Sequence, residues 1–169
     1  MKKNLENTLL FIINRLNKNK INYFLTGSLC MYLHGCKINP NDIDIHIFYK
    51  DFKKINNLLK DCGEIKIKSR STTKEYKRMI FNLLGSEVDL MGFKNIGYSK
   101  LPYSILFEKK NKIKIIVRKT EIIVPNIENL LKLYYCYYER WKRPKHLKKV
   151  KLLEKLTKKG YTLPKTYFF

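Results

Sequence analysis

The sequence predicts an α/β fold: a small mixed, mostly antiparallel sheet, helices packed on one side, and a short C-terminal helical unit. Three observations lead there. Residues 42–49 alternate Asp or His with Ile, the period of a strand with two different faces. Residues 76–84 and 87–93 are strand-like runs on either side of Gly85-Ser86, the pattern of an antiparallel hairpin. Leu5, Leu9, Ile12, Ile13 and Leu16 instead recur at helical spacing, as do the apolar residues after Ile127.

Taken in order, residues 4–18 form an amphipathic helix. Residues 22–25 are a short strand, Thr26-Gly27-Ser28 a turn, and residues 29–34 a helix stopped by Gly35. Asn39-Pro40-Asn41 is a second turn, because proline fixes its own φ and asparagine favours local hydrogen bonds. The strand at 42–49 follows, then a helix capped by Asp51 that closes at Gly63. Residues 64–68 are a strand, followed by a polar loop through Thr73, the hairpin, and a loop over 94–104. Residues 104–108 and 112–117 are β-rich stretches joined by a Lys-Lys-Asn turn. Residues 122–124 lead through Pro125 into a helix over 127–141; Pro144 breaks it, and a last helix covers 145–159. The final nine residues are expected to be a loose tail. The seam near Pro125 divides the chain into residues 1–124 and a basic helical extension, 125–169.

At 169 residues and 44% hydrophobic, the chain can bury a core without a disulfide or metal staple. Its apolar runs, such as Leu9 to Ile13, fall far below the roughly 18 residues of a membrane span. No small-residue cleavage site follows the basic N-terminus, so no signal peptide is expected and the protein should be cytoplasmic, with no membrane partner. Cys30, Cys36, Cys62 and Cys136 lack the spacing of a zinc knuckle or redox pair, and His34 alone does not make them one. Thirty-six basic residues against 14 acidic ones leave +22, which favours a polyanionic partner. Lysine-rich coding bias accounts for part of it. From Arg140 to Lys159, however, ten basic residues face one acid, a local excess that suits a phosphate backbone.

The chemistry is concentrated in Asp42-Ile43-Asp44. Alternation puts Asp42, Asp44 and His46 on one strand face, with Ile43, Ile45 and Ile47 on the other. Two carboxylates roughly 7 Å apart at Cα repel unless a cation bridges them. Glu87-Val88-Asp89-Leu90 repeats the pattern in a second strand, so Asp89 can join the pair. Three carboxylates suit two divalent ions, Mg²⁺ or Mn²⁺, and the phosphates those ions carry. Asp89 is the candidate acceptor of a hydroxyl proton, with Glu87 on the same face as the runner-up. Gly27-Ser28, between strand and helix, offers backbone N–H groups and a hydroxyl to phosphate. His46 reads as a hydrogen-bonded neighbour of the site. Tyr134, Tyr138 and Trp141 read as packing residues, leaving Tyr135 and Tyr137 open for base stacking.

Gly27-Ser28, thirteen further residues, then Asp42-Ile43-Asp44-Ile45 and a later lone Asp89 resemble the signature of the DNA polymerase β-like nucleotidyltransferase superfamily. The resemblance covers residues 21–92. It implies Gly27 and Ser28 on the triphosphate, Asp42 and Asp44 on both metals, and Asp89 on one metal near the acceptor. Val124-Pro125-Asn126 and the following helix resemble the small antibiotic-modifying and toxin-type members, which makes Lys132 a nucleotide contact. Two features depart from those members. Ile38 and Pro40 stand where an Arg and a Thr are frequent, with Lys37 as a substitute, and Arg143-Pro144-Lys145-His146 lacks their acid.

The expected reaction is attack by an acceptor hydroxyl on the α-phosphate of an NTP, with release of pyrophosphate. The charged extension makes RNA, and a tRNA end in particular, the first expected acceptor, bound by Arg140, Lys142, Arg143, Lys145, Lys148, Lys149 and Lys151. A small hydroxylated molecule such as an aminoglycoside or lincosamide is the alternative. A toxin–antitoxin component or non-catalytic binding module is the third.

Overall fold

The computed structural model describes residues 1–60, 62, 66–72, 76–93, 111–158 and 166–167. Helix α1 (Lys3–Lys18) buries the stripe Leu5, Leu9, Ile12, Ile13 and Leu16, as the 3.6-residue repeat dictates. Strand β1 (Tyr23–Thr26) is buried throughout and passes directly into helix α2 (Gly27–Leu33). Strand β2 (Asp42–Phe48) leads through a 3₁₀ turn, Tyr49–Asp51, into helix α3 (Phe52–Lys60). Strands β3 (Lys66–Thr72), β4 (Tyr76–Leu83) and β5 (Ser86–Phe93) complete a five-stranded sheet in the order β1-β2-β5-β4-β3. Strands β2 and β5 run parallel and the other pairs of this sheet antiparallel, the mixed sheet that the sequence predicts.

Register within the β4–β5 hairpin is fixed by its turn. Leu84 and Gly85 have φ of +49° and +79°, the left-handed pair that a two-residue hairpin loop demands. Strand β3 includes the expected strand residues 66–68 and continues through 69–72, expected as loop. It forms because β4 offers a free edge, and pairing from Lys66↔Asn82 to Thr72↔Lys77 outweighs a weak local preference.

A second sheet, in the order β7-β6-β8, contains β6 (Lys112–Val117), β7 (Thr120–Pro125) and β8 (Thr166–Tyr167). Strand β8 corrects the expectation of a loose tail. Thr166 and Tyr167 pair with Ile116 and Val117, satisfying backbone groups on the outer edge of β6. The stretch 104–108, expected to be β-rich, lies outside the described residues.

Helix α1 clamps the two sheets together. The Thr8 hydroxyl donates to the Leu83 carbonyl at 3.0 Å, the Asn17 amide to the Glu121 carbonyl at 2.9 Å, and buried Glu6 pairs with Arg118 at 2.5 Å. The chain ends in two helices. The Asn126 side chain caps α4 (Ile127–Trp141), accepting the Asn129 N–H at 2.8 Å, and Pro144 opens α5 (Pro144–Thr157), where its missing N–H costs nothing. Lys142, at φ +48°, ends α4 and turns the chain between them. No described helix is long and apolar enough to cross a membrane.

Candidate active site

Sheet register assembles the carboxylates. In the parallel β2–β5 pair, Asp42 lies beside Glu87, Asp44 beside Asp89 and His46 beside Met91. Strand β1 adds Thr26 next to Asp44 from the other side, and β4 sets Arg78 beside Met91. From there the Arg78 guanidinium reaches Asp89, with Nε at 2.8 and 3.1 Å from its two oxygens and Nη2 at 2.5 Å from Oδ2. Both oxygens of Asp89 are therefore engaged, and the pair is nearly shielded on the carboxylate side.

The turn before α2 is built around Asp44. Gly27 has φ +71°, and a Cβ placed there would lie 1.7 Å from Asp44 Oδ2. Only glycine brings the backbone this close to the carboxylate. The Ser28 hydroxyl donates to Asp42 Oδ1 at 3.3 Å, and the Thr26 hydroxyl to the Asp44 carbonyl at 3.5 Å. The far end of α2 is fixed by His34, whose Nε2–H donates to the Pro125 carbonyl at 2.9 Å. Burial holds His34 neutral, its pKa lowered to about 4.

Charge is crowded at Asp44. Burial first, then the charges of Asp42 and Asp89, raise its pKa to about 7, while Lys149 and Arg78 oppose the rise. A half-buried carboxylate between two others is a donor set that a hard divalent cation would relieve, so the residues fit such an ion. Asp42 and Asp44 would hold it, joined by Asp89 when Arg78 gives way. Among the described residues no three carboxylate, imidazole or thiol groups are already gathered as a cage.

Facing this sheet wall is a helix wall. Tyr134, Tyr137 and Trp141 of α4, Arg143 from the connection, and Lys145, His146 and Lys149 of α5 close a cleft of about 520 Å³ over Thr26, Gly27 and the carboxylates. Tyr137 and Trp141 lie 5.0 Å apart between ring centroids, and each is within 5.8 Å of the His146 ring. The Lys149 Nζ donates to the Tyr134 hydroxyl at 3.3 Å and sits 4.9 Å from that ring's centre. Burial lowers the Lys149 pKa, while Asp44 and Asp42 act to raise it. Burial, then the charges of Lys145, Lys149 and Arg143, lower that of His146 to about 4.

The residues singled out by sequence divide accordingly. Gly27, Asp42, Asp44, Glu87 and Asp89 line the cleft together, and His46 lines it as a buried neutral imidazole with its pKa lowered to about 3 by burial. Ser28 reaches it through Asp42. Lys132 does not line it. Helix α4 buries Ile127, Leu130, Leu133 and Tyr134, leaving Lys132 exposed, and the lysine inside is Lys149, one helix later. The basic extension also splits. Arg143, Lys145 and Lys149 face the carboxylates, whereas Lys148 and Lys151 line a separate groove with Leu147 and Leu152. Lys142 pairs with Glu139 at 2.6 Å, and the Arg140 side chain lies outside the described residues. Of the aromatics, Tyr134 is core; Trp141, expected as packing, is 43% exposed at the cleft. Tyr137 turns into the cleft, while Tyr135 bonds Glu154 outside it. Arg78 was missed, though the hairpin register alone puts it diagonal to Asp89 on the same face.

Comparison with known proteins agrees with this fold. The sequence profile of the aminoglycoside-2''-adenylyltransferase family matches residues 8–91, from α1 through the β5 carboxylates. No curated protein sequence matches the chain significantly. The fold is similar to that of the antibiotic-resistance factor ANT(2'')-Ia in solution, with a TM-score of 0.66, 9% identity, and 95% of this chain covering 86% of that one. The same protein in complex with adenylyl-2''-tobramycin matches at 0.61, with 11% identity and coverage of 90% and 88%. The lincosamide antibiotic adenylyltransferase LnuA, lincomycin-bound, matches at 0.60, with 16% identity and coverage of 88% and 96%. A Thermotoga maritima protein assigned as a nucleotidyltransferase matches at 0.59, with 21% identity and coverage of 90% and 92%.

Proposed function

We propose that this chain is a nucleotidyltransferase, and that it transfers the NMP of an NTP to a hydroxyl of a small molecule. The observation that carries this reading is the enclosed cleft. Four carboxylates on the sheet wall face a helix wall across about 520 Å³, within the range of small-ligand sites of roughly 300–1,000 Å³. The relatives named for aminoglycosides and lincosamides point the same way. The divided basic helix weakens the RNA expectation as well. Lys148 and Lys151 lie on a different groove from Lys145 and Lys149, so the lysines form no single track to the carboxylates.

In this reading the acceptor oxygen forms a bond to the α-phosphorus as the bond to the β-phosphate oxygen breaks. The electron pair leaves on pyrophosphate, and the hydroxyl proton passes to Asp89, with Glu87 on the same strand face as a substitute. Divalent metal, two ions in the fullest form, would supply charge neutralisation at Asp42, Asp44 and Asp89. Lys149 and the Gly27-Ser28 backbone would hold the triphosphate, and Ser28 would orient Asp42 through its 3.3 Å hydrogen bond. Pro125, through His34, would hold α2 at the height this requires.

The test is pyrophosphate release with each NTP and Mg²⁺ against tobramycin, lincomycin, simple sugars and total RNA. Adenylylation of a small hydroxylated compound is the expected outcome, with ATP the first nucleotide to examine. NMP transfer confined to RNA would overturn the small-acceptor reading and leave the transferase chemistry intact.

A further inference from the structure

We infer that Arg143 and Lys145 are specificity-determining residues that set the charge class of the acceptor, admitting hydroxylated molecules with few amines and excluding polycationic aminoglycosides. The inference rests on the small-acceptor reading above and departs from the aminoglycosides for which the matching family is named.

Charge around the cleft carries it. The described lining residues include four acids, Asp42, Asp44, Glu87 and Asp89, and four bases, Arg78, Arg143, Lys145 and Lys149. Three of the acids are committed to metal and phosphate chemistry, which leaves Glu87 to meet an acceptor's ammonium groups. One carboxylate cannot compensate several. Arg143 and Lys145 are exposed and flank the α4–α5 connection next to Trp141, itself 43% exposed, so they stand where an acceptor enters. The nearby His146 ring responds to that field, since after burial Lys145, Lys149 and Arg143 all help to lower its pKa. Beyond the cleft the whole chain carries +22, so the approach of a polycation is repulsive at longer range too. What remains at the mouth is the tilted Tyr137, Trp141 and His146 group, an apolar surface suited to a ring with few charges.

Trp141 supplies the readout, because it is the single tryptophan of the chain and lines the cleft. Its emission would be followed during titration with tobramycin and with lincomycin, in the presence of Mg²⁺ and a non-hydrolysable ATP analogue at physiological salt. The same titrations would be run on Arg143→Glu/Lys145→Glu. Both substitutions put acids at the N-terminus of α5, where the helix dipole favours them, so the variant is expected to fold. In the wild type tobramycin is expected to bind about tenfold or more weakly than lincomycin, and the double variant to narrow that ratio by about tenfold. Tobramycin binding the wild type as tightly as lincomycin, or a ratio unmoved by the double variant, overturns the inference. If neither compound perturbs the wild type, a tobramycin response gained by the variant supports it and no gain overturns it. Failure of the small-acceptor reading shows elsewhere, as NMP transfer to RNA and to no small hydroxyl compound.

Discussion

The two walls of the cleft are made differently. The sheet wall draws Thr26, Asp42, Asp44, Arg78, Glu87 and Asp89 from four adjacent strands, where register and alternation fix each side chain's direction. The helix wall draws Tyr137, Trp141, Arg143, Lys145 and Lys149 from two short helices joined at a left-handed lysine, and several of these residues are exposed. Groups that must be placed to a fraction of an ångström stand on the stiff side. Groups that need only present a charge or a ring stand on the adaptable side. Mutations on the first wall should therefore stop the chemistry, and mutations on the second should retune recognition.

The largest expected effect is on the sheet wall. Asp42→Asn and Asp44→Asn should each lower the transfer rate by about a thousandfold or more, through several kcal/mol of lost charge neutralisation. Stability without metal should hold for Asp42→Asn and rise for Asp44→Asn. The Asp44 pKa is raised above its unfolded value to about 7, so its stabilising contribution is full below about 4 and lost as pH rises through 7. The amide removes that loss. Either variant retaining more than about a tenth of wild-type kcat, under about 1.4 kcal/mol of barrier, would sink the assignment.

Gly27→Ala comes next and breaks the same wall sterically. A left-handed φ and a Cβ 1.7 Å from Asp44 Oδ2 require the backbone or the carboxylate to move. Loss of about 2–4 kcal/mol of stability is expected, with the metal-induced rise in melting temperature reduced along with activity. A normal melting temperature with a normal metal response would mean that the close approach is not needed.

These two sets of residues were legible in the sequence because strand alternation and the spacing of Gly27 from Asp42 operate over short range. The same arithmetic reaches Arg78 once the Leu84-Gly85 hairpin register is counted out. Lys149 and Trp141 were not legible as cleft residues. Their placement depends on how α4 and α5 pack, and a helical wheel gives a face without saying what it faces. Lys132, taken from the family resemblance, proves exposed, while β8 formed where local sequence offered no signal beyond a free edge on β6.

On the helix wall, Lys149→Met should raise the KM for NTP by about tenfold to a hundredfold, with a smaller fall in kcat. The positive charge proposed to meet phosphate is removed, and the aliphatic packing on Tyr134 is kept. An unchanged KM for NTP would take Lys149 out of the triphosphate site. Outside the cleft, at the C-terminal end of α2, lies His34. Its folded pKa of about 4 is below the ordinary value, so its contribution is present above about 6.5 and lost as pH falls toward 4. His34→Gln, which keeps a donor for the Pro125 carbonyl, should flatten the fall in stability across that window by about 1–2 kcal/mol. Equal acid sensitivity in variant and wild type would show that charging of buried His34 does not drive the loss.

The smallest effect tests whether the outer face of α5 matters at all. Lys148 and Lys151 are exposed on a groove with Leu147 and Leu152, away from the carboxylates. If the acceptor is a small molecule, Lys148→Gln/Lys151→Gln removes two charges that touch neither nucleotide nor acceptor. Transfer to that molecule should then stay within about twofold of wild type at moderate salt, since such surface charges contribute at most tenths of a kcal/mol. An RNA acceptor makes the opposite demand. Every single-strand phosphate that a lysine ceases to neutralise takes about 0.7 off the slope of log affinity against log salt, so the double variant would flatten it by about 1.4. A flattened slope, with RNA modification weakened and NTP binding intact, would bring the outer groove into the active surface and restore the basic helix as a phosphate track.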